Sequence, residues 1–219
     1  MKYRSNKFVV NTLALIMAFL ICASSFGFSV YAANLGNLSV FYSDTNKIGT
    51  WSSVPSAVYV KNLTTDLGSS FPLNNMVSHA TSQWNSALGF SLTPVPNTTG
   101  AFTIYGGTAY DIAAIGLGWT SNEDNAPAGS TICTEASNGT YTYNSRTITH
   151  YSIARARIAL YYDVTRTSSE YYKTATHEIG HALGWRGHSA TYTDVMYYSE
   201  NSYFYLTNQD ISHLFQVYH

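Results

Sequence analysis

The chain has 219 residues, of which 11 are basic and 12 acidic, for a formal charge of −1. That length suits one domain with a sizeable core and scarcely two. A near-neutral chain without blocks of like charge recruits neither nucleic acid nor an anionic membrane surface.

The first element in chain order is a targeting segment. Lys2, Arg4 and Lys7 form a basic start, Phe8 to Ile21 is almost wholly apolar, and small residues lead to Val30-Tyr31-Ala32. This pattern predicts a secretory signal peptide over residues 1–32, cleaved after Ala32, and a single secreted, extracellular domain over 33–219 with no stable membrane association. An uncleaved anchor is the alternative, and Ile21 ahead of Cys22 argues against lipoprotein processing. Removing residues 1–32 takes away three basic residues and no acidic ones, leaving 8 − 12 = −4. Export permits disulfides, but only Cys133 remains, so no internal bridge can form and stability must come from packing or metal. The ordinary reading of Cys133 is a buried, inert thiol. There is no internal repeat, and abundant Ser, Thr, Asn and Tyr suit a neutral extracellular surface.

Ser56 to Val60 alternates like a half-buried strand, as does Phe102 to Tyr105 ahead of Gly106-Gly107, and both are expected in one sheet. Between them Pro72 can open a helix without losing a hydrogen bond, and Leu73, Met76, Val77, Ala80, Trp84 and Leu88 recur at helical spacing. Ile115 to Thr120 reads as a strand, followed by a turn-rich stretch from Ser121 to Ser130, and Ala156 to Tyr162 as another strand. Thr167-Ser168-Ser169-Glu170 has the form of a capping box, which opens a helix. A last helix starts near Thr207-Asn208-Gln209-Asp210, with Ile211, Leu214, Phe215 and Val217 as its packing face. Strands and helices mixed without strict alternation predict an α+β sheet backed by helices.

The capped helix carries the chemistry, in the stretch HEIGHALGWRGH from His177 to His188. His177 and His181 lie one turn apart on one helix face, so both imidazoles can reach one ion about 2 Å from each nitrogen. Glu178 is displaced about 100° around the helix, where it can flank the ion and serve as base. Gly184 can end the helix in a left-handed conformation and let the chain turn back, making His188 the natural third ligand and leaving a fourth position for water. An outward-facing His188, with Asp194 or water in its place, is the alternative. The remaining histidines, His79, His150, His213 and His219, have no matching spacing and read as ordinary surface or core residues.

His177-Glu178-Ile179-Gly180-His181-Ala182-Leu183-Gly184, then His188 and Asp194-Val195-Met196-Tyr197, resembles the metzincin zinc endopeptidases, closest to small secreted matrixin-like members. Trp185-Arg186-Gly187 is one residue longer than the usual spacing, and Gly187 is a second hinge able to absorb it. The resemblance implies a metzincin-like mixed twisted sheet with an active-site helix, a backing helix and a C-terminal helix. It implies one catalytic zinc on His177, His181 and His188, with Glu178 as general base in peptide-bond hydrolysis. Met196 becomes the structural methionine turn and Asp210 its brace. Tyr198 is a candidate transition-state stabiliser, set against a packing role, and Gly116 to Thr120 the candidate edge strand for substrate. Asp111, Glu123 and Asp124 could hold a calcium ion, with solvated loop carboxylates as the ordinary reading. The ligands of a second, structural zinc are absent, and a cysteine switch is not expected; Cys133 capping the metal is a remote alternative. The expected partners are protein or peptide substrates, acted on by a monomer. A secreted zinc-binding or adhesion module without catalysis, and a zinc amidase acting on cell-wall peptides, remain as alternatives.

Overall fold

The computed structural model describes residues 38–64, 67, 70–117 and 127–219. The expected signal peptide lies outside them, and among the described residues no helix is long and apolar enough to cross a membrane. In chain order the elements are β1 (Lys47–Trp51), β2 (Ala57–Asn62), α1 (Leu73–Leu88), β3 (Thr93–Pro96), β4 (Phe102–Gly107), α2 (Ala109–Ala114), β5 (Gly129–Tyr143), β6 (Arg146–Tyr161), α3 (Ser168–Leu183) and α4 (Asn208–Tyr218).

Among the described residues the strands form one six-stranded mixed sheet, the expected α+β architecture. The β1–β6, β6–β4, β4–β2 and β2–β3 pairs are parallel, while β5 runs antiparallel, against β6. Because β5 follows β6 from Arg146 to Leu160, β1 and β4 share the opposite side, against Thr149–Ile153 and Ala156–Tyr161 respectively. The two expected strands are adjacent, with Tyr59 opposite Thr103. Pro94 and Pro96 lie in β3, an edge strand, where a missing amide costs no ladder bond.

Side-chain alternation along β6 divides the apolar residues between two faces. Ile158 and Leu160 enter the main core, while Ala159 and Tyr161 join Ala109, Ile112 and Leu117 in a smaller cluster under α2. All six apolar residues that marked α1 are buried in the main core. Trp84 of α1 donates its indole N–H to the Thr176 carbonyl at 2.9 Å, and Trp51 does likewise to Ala182 at 2.8 Å, fixing α3 against α1 and β1.

Two expectations are corrected. Ile115 to Leu117 is not strand: Thr108 caps α2, whose C-cap is Ile115, and Gly116 turns the chain at φ 70° before Leu117 enters the small core. The rest of the expected strand, from Gly118 to Thr120, lies outside the described residues. The edge strand beside α3 is instead β5, whose long polar run from Thr134 to Thr142 carries too weak an apolar alternation to announce itself. On α4 the buried face is His213, Leu214, Val217 and Tyr218, while Phe215 points outward and Ile211 is half-buried. Two polar-looking residues take the core positions because each finds a partner there: the Tyr42 amide for His213 and the Leu183 carbonyl for Tyr218.

Candidate metal centre

The helix that bears the site starts as its sequence dictates. The Thr167 hydroxyl accepts the Glu170 amide and the Glu170 carboxylate accepts the Thr167 amide at 2.7 Å, closing the capping box of α3. Four turns later Gly184 ends the helix at φ 121° and ψ −1°. This lies outside the αL well, and the reason is tertiary: the Gly184 carbonyl accepts the Gly49 amide of β1 at 2.8 Å, so closely that a Cβ here would fall on the Gly49 carbonyl oxygen.

The extra residue before His188 is absorbed between two chain segments. Gly187 takes φ 80° with no room for a side chain beside Ser43, Asp44 and Thr45. The hydroxyls of Ser43 and Thr45 donate to the Arg186 carbonyl, the His188 amide donates to the Asp44 carboxylate at 2.7 Å, and the Asp44 amide donates to the His188 carbonyl at 3.0 Å. The segment ahead of β1 thus holds the loop in place, and His188 turns inward rather than outward.

One ligand atom each from His177, His181 and His188 lies within 4.8 Å of the others. The Nδ1–H groups of His177 and His181 donate to the carbonyls of Val195 and Trp185, each at 2.8 Å. Both Nε2 atoms therefore present lone pairs, and they face each other at 2.9 Å. Two lone pairs so close repel unless a cation lies between them, and tetrahedral zinc bound about 2.0–2.1 Å from each nitrogen would set them at a comparable spacing. Burial, first of all, pushes the pKa of all three imidazoles down; neighbouring imidazoles add to it for His177 and His181, while Asp44 opposes it at His188. They stay neutral and fit for a metal. Among the described residues Asp194 and Cys133 are not in this group. Asp194 accepts the hydroxyls of Ser189 at 2.5 Å and Thr207 at 2.7 Å, while burial pushes the Cys133 thiol up beside Arg186.

Glu178 lines the same cleft of about 390 Å³ as the three histidines. Its carboxylate accepts the Thr131 hydroxyl of β5 at 2.6 Å. Burial pushes its pKa up to about 7, with Thr131 and Lys173 acting in the opposite sense. A neighbouring zinc charge would act in the same downward sense as Lys173. Met196 lies against α3 at Gly180, where a Cβ would strike its sulfur, and Asp210 accepts the Val195 and Met196 amides at 3.0 and 3.1 Å. Tyr198 is 68% exposed, packs on Tyr197 with ring centroids 4.5 Å apart, and borders the cleft beside His177.

The other histidines have local partners: His150 the Thr50 hydroxyl, His79 the side chain of Gln83, and His219 the Leu88 carbonyl. Calcium finds no support. The Asp111 carboxylate accepts the hydroxyls of Thr64 and Thr108, which hold its pKa down, and Glu123 and Asp124 lie outside the described residues. Thr131 and Lys173 were not legible as site residues. Lys173 stands one helical turn before His177, a spacing that could have flagged it; Thr131 reaches Glu178 only through the pairing of β5 with β6.

No curated protein matches the chain. Residues 60–219 match the family model described as matrixin, from β2 to the final residue and across the whole histidine site. On that match the chain belongs to the matrixin family of zinc metalloendopeptidases.

Proposed function

We propose that residues 1–32 are a signal peptide and that residues 33–219 form a secreted zinc endopeptidase, with His177, His181 and His188 as metal ligands and Glu178 as general base. The observation that carries the reading is the meeting of the two Nε2 lone pairs at 2.9 Å beside a buried carboxylate in one cleft. Zinc held by His177, His181 and His188 would supply Lewis acidity, lowering the pKa of water to about 7 and polarising the scissile carbonyl. Glu178, steadied by the Thr131 hydroxyl, takes a proton from the attacking water and delivers it to the leaving nitrogen. The edge of β5 that pairs with no other described strand offers backbone groups to an extended substrate, so binding tolerates many sequences.

Casein and gelatin digestion by the zinc-loaded protein tests this, beside Glu178→Ala. Chelator-sensitive cleavage is expected, falling about 10²–10⁴-fold in the variant while zinc is retained. Stoichiometric zinc without cleavage would point instead to a binding module, and turbidity loss confined to isolated cell walls to an amidase.

A further inference from the structure

Beyond His177 the site continues into a second cleft of about 430 Å³, between α3, the start of β5 and residues 198–200. Two cations with largely buried side chains line it. Lys173 is 5% exposed, and its ammonium donates to the carbonyls of Tyr197 and Ser199, each at 3.0 Å. An ammonium carries three N–H groups, so among the described residues one has no acceptor. The Arg166 side chain is 9% exposed; its Nη2 meets Glu200 Oε1 at 2.9 Å and its Nε stands 3.6 Å from Asp163 Oδ2. Among the described residues, the buried Nε and Nη1 of Arg166 have no hydrogen-bond acceptor. A native protein rarely leaves such donors unmet without a reason.

The carboxylates that balance these cations are placed differently. Asp163 and Glu200 have side chains 41% and 48% exposed, so water screens them, while Glu178 and Asp210, which also act on Lys173, are buried and already accept the Thr131 hydroxyl and the Val195 and Met196 amides; both cations line a sheltered cleft. Burial pushes the Lys173 pKa down only to about 8, which leaves it charged at neutral pH. A peptide adding to β5 in the more stable antiparallel sense runs towards Gly129 at its C-terminal end. It therefore delivers to this cleft the side chain that follows the cut bond.

We infer that this cleft selects the residue directly after the scissile bond, and that the spare donors of Lys173 and Arg166 make it favour an acidic side chain. This rests on the peptidase reading above. The carboxylate would accept the third Lys173 N–H and the free Arg166 Nη1–H, recovering donors that are otherwise buried without partners.

Cleavage of a diverse peptide library by the zinc-loaded protein, with the cut sites mapped by mass spectrometry, tests the inference. Glu and Asp should be favoured over Gln at the first position after the cut by about tenfold, the scale of one charge-assisted hydrogen bond. Arg166→Gln should bring that ratio down, and Glu200→Gln, which frees Arg166 from its counter-charge, should raise it. Lys173→Met also removes the donor from two carbonyls and can unfold the loop, so these two variants carry the test. Cuts without acidic preference, a preference unmoved by both variants, or acidic residues before the cut would overturn the pocket assignment and leave the peptidase intact. No cleavage of the library or of casein would overturn both.

Discussion

At the level of single residues, two backbone carbonyls fix what His177 and His181 can do. The Val195 and Trp185 carbonyls take the Nδ1–H protons, so Nε2 of His177 and of His181 are committed as acceptors. His188 is held by its backbone, through Asp44 and Gly187, rather than by a helix. Loss of an outer partner in such sites typically costs 10–100-fold in metal affinity, so His188→Ala, which removes the proposed third ligand itself, should weaken zinc binding by more than about 100-fold. Metal analysis after dialysis reads this directly, and retained tight zinc would mean a different third ligand. Tyr198 is exposed and stacked on Tyr197, which predicts that Tyr198→Phe keeps turnover within about twofold, since rotamer and ring packing are preserved. A drop of 10-fold or more, about 1.4 kcal/mol, would return its hydroxyl to the reaction. The histidine spacing was legible because a helix has a fixed period; the Nδ1 acceptors were not, because both are backbone carbonyls of a loop.

At the element scale, the end of α3 and the turn after His188 are where the fold is most exacting. Gly184 combines positive φ with backbone contact to Gly49, so neither relaxation nor a rotamer change can admit a methyl. Gly184→Ala should destabilise by roughly 3 kcal/mol, visible as a lowered Tm. The Asp210 carboxylate is fully buried and accepts amides from Val195, Met196 and Thr207. Asp210→Ala strands those donors at about 1–3 kcal/mol each and should lower stability and zinc affinity together, because Val195 also carries the acceptor for His177. Equal zinc affinity in a folded Asp210→Ala protein would separate the turn from the metal site. Both capped helices could be read from Thr167-Glu170 and Thr207-Asp210, since a cap is a local bargain among four residues. The face of α4 could not, because His213 and Tyr218 become core residues only once Tyr42 and Leu183 arrive from elsewhere.

At the scale of the whole molecule, the buried histidines tie stability to pH. His213 packs 3.9 Å from the Trp185 ring, and burial pushes its pKa from 6.5 to about 3. The unfolded chain therefore binds a proton at pH values where the folded one does not. Its contribution is complete above pH 6.5 and is lost as pH falls towards 3, at up to about 1.4 kcal/mol per pH unit. Urea unfolding at pH 7, 6 and 5 in chelator should show this slope reduced in His213→Leu, with a constant offset for the stranded Tyr42 amide; parallel slopes would remove His213 as the source. Local and periodic features could be read from the residues alone: the α1 stripe, the two capping boxes, the strands at Ala57 and Phe102, and the HExxH pair on α3. The tertiary structure alone decided that β5 is the strand beside the site, that the Ser43–Thr45 segment seats the lengthened loop, and that Lys173 and Arg166 meet in one cleft. Those outcomes join residues tens of positions apart, and no periodicity along a chain encodes which distant backbone will supply a hydrogen bond.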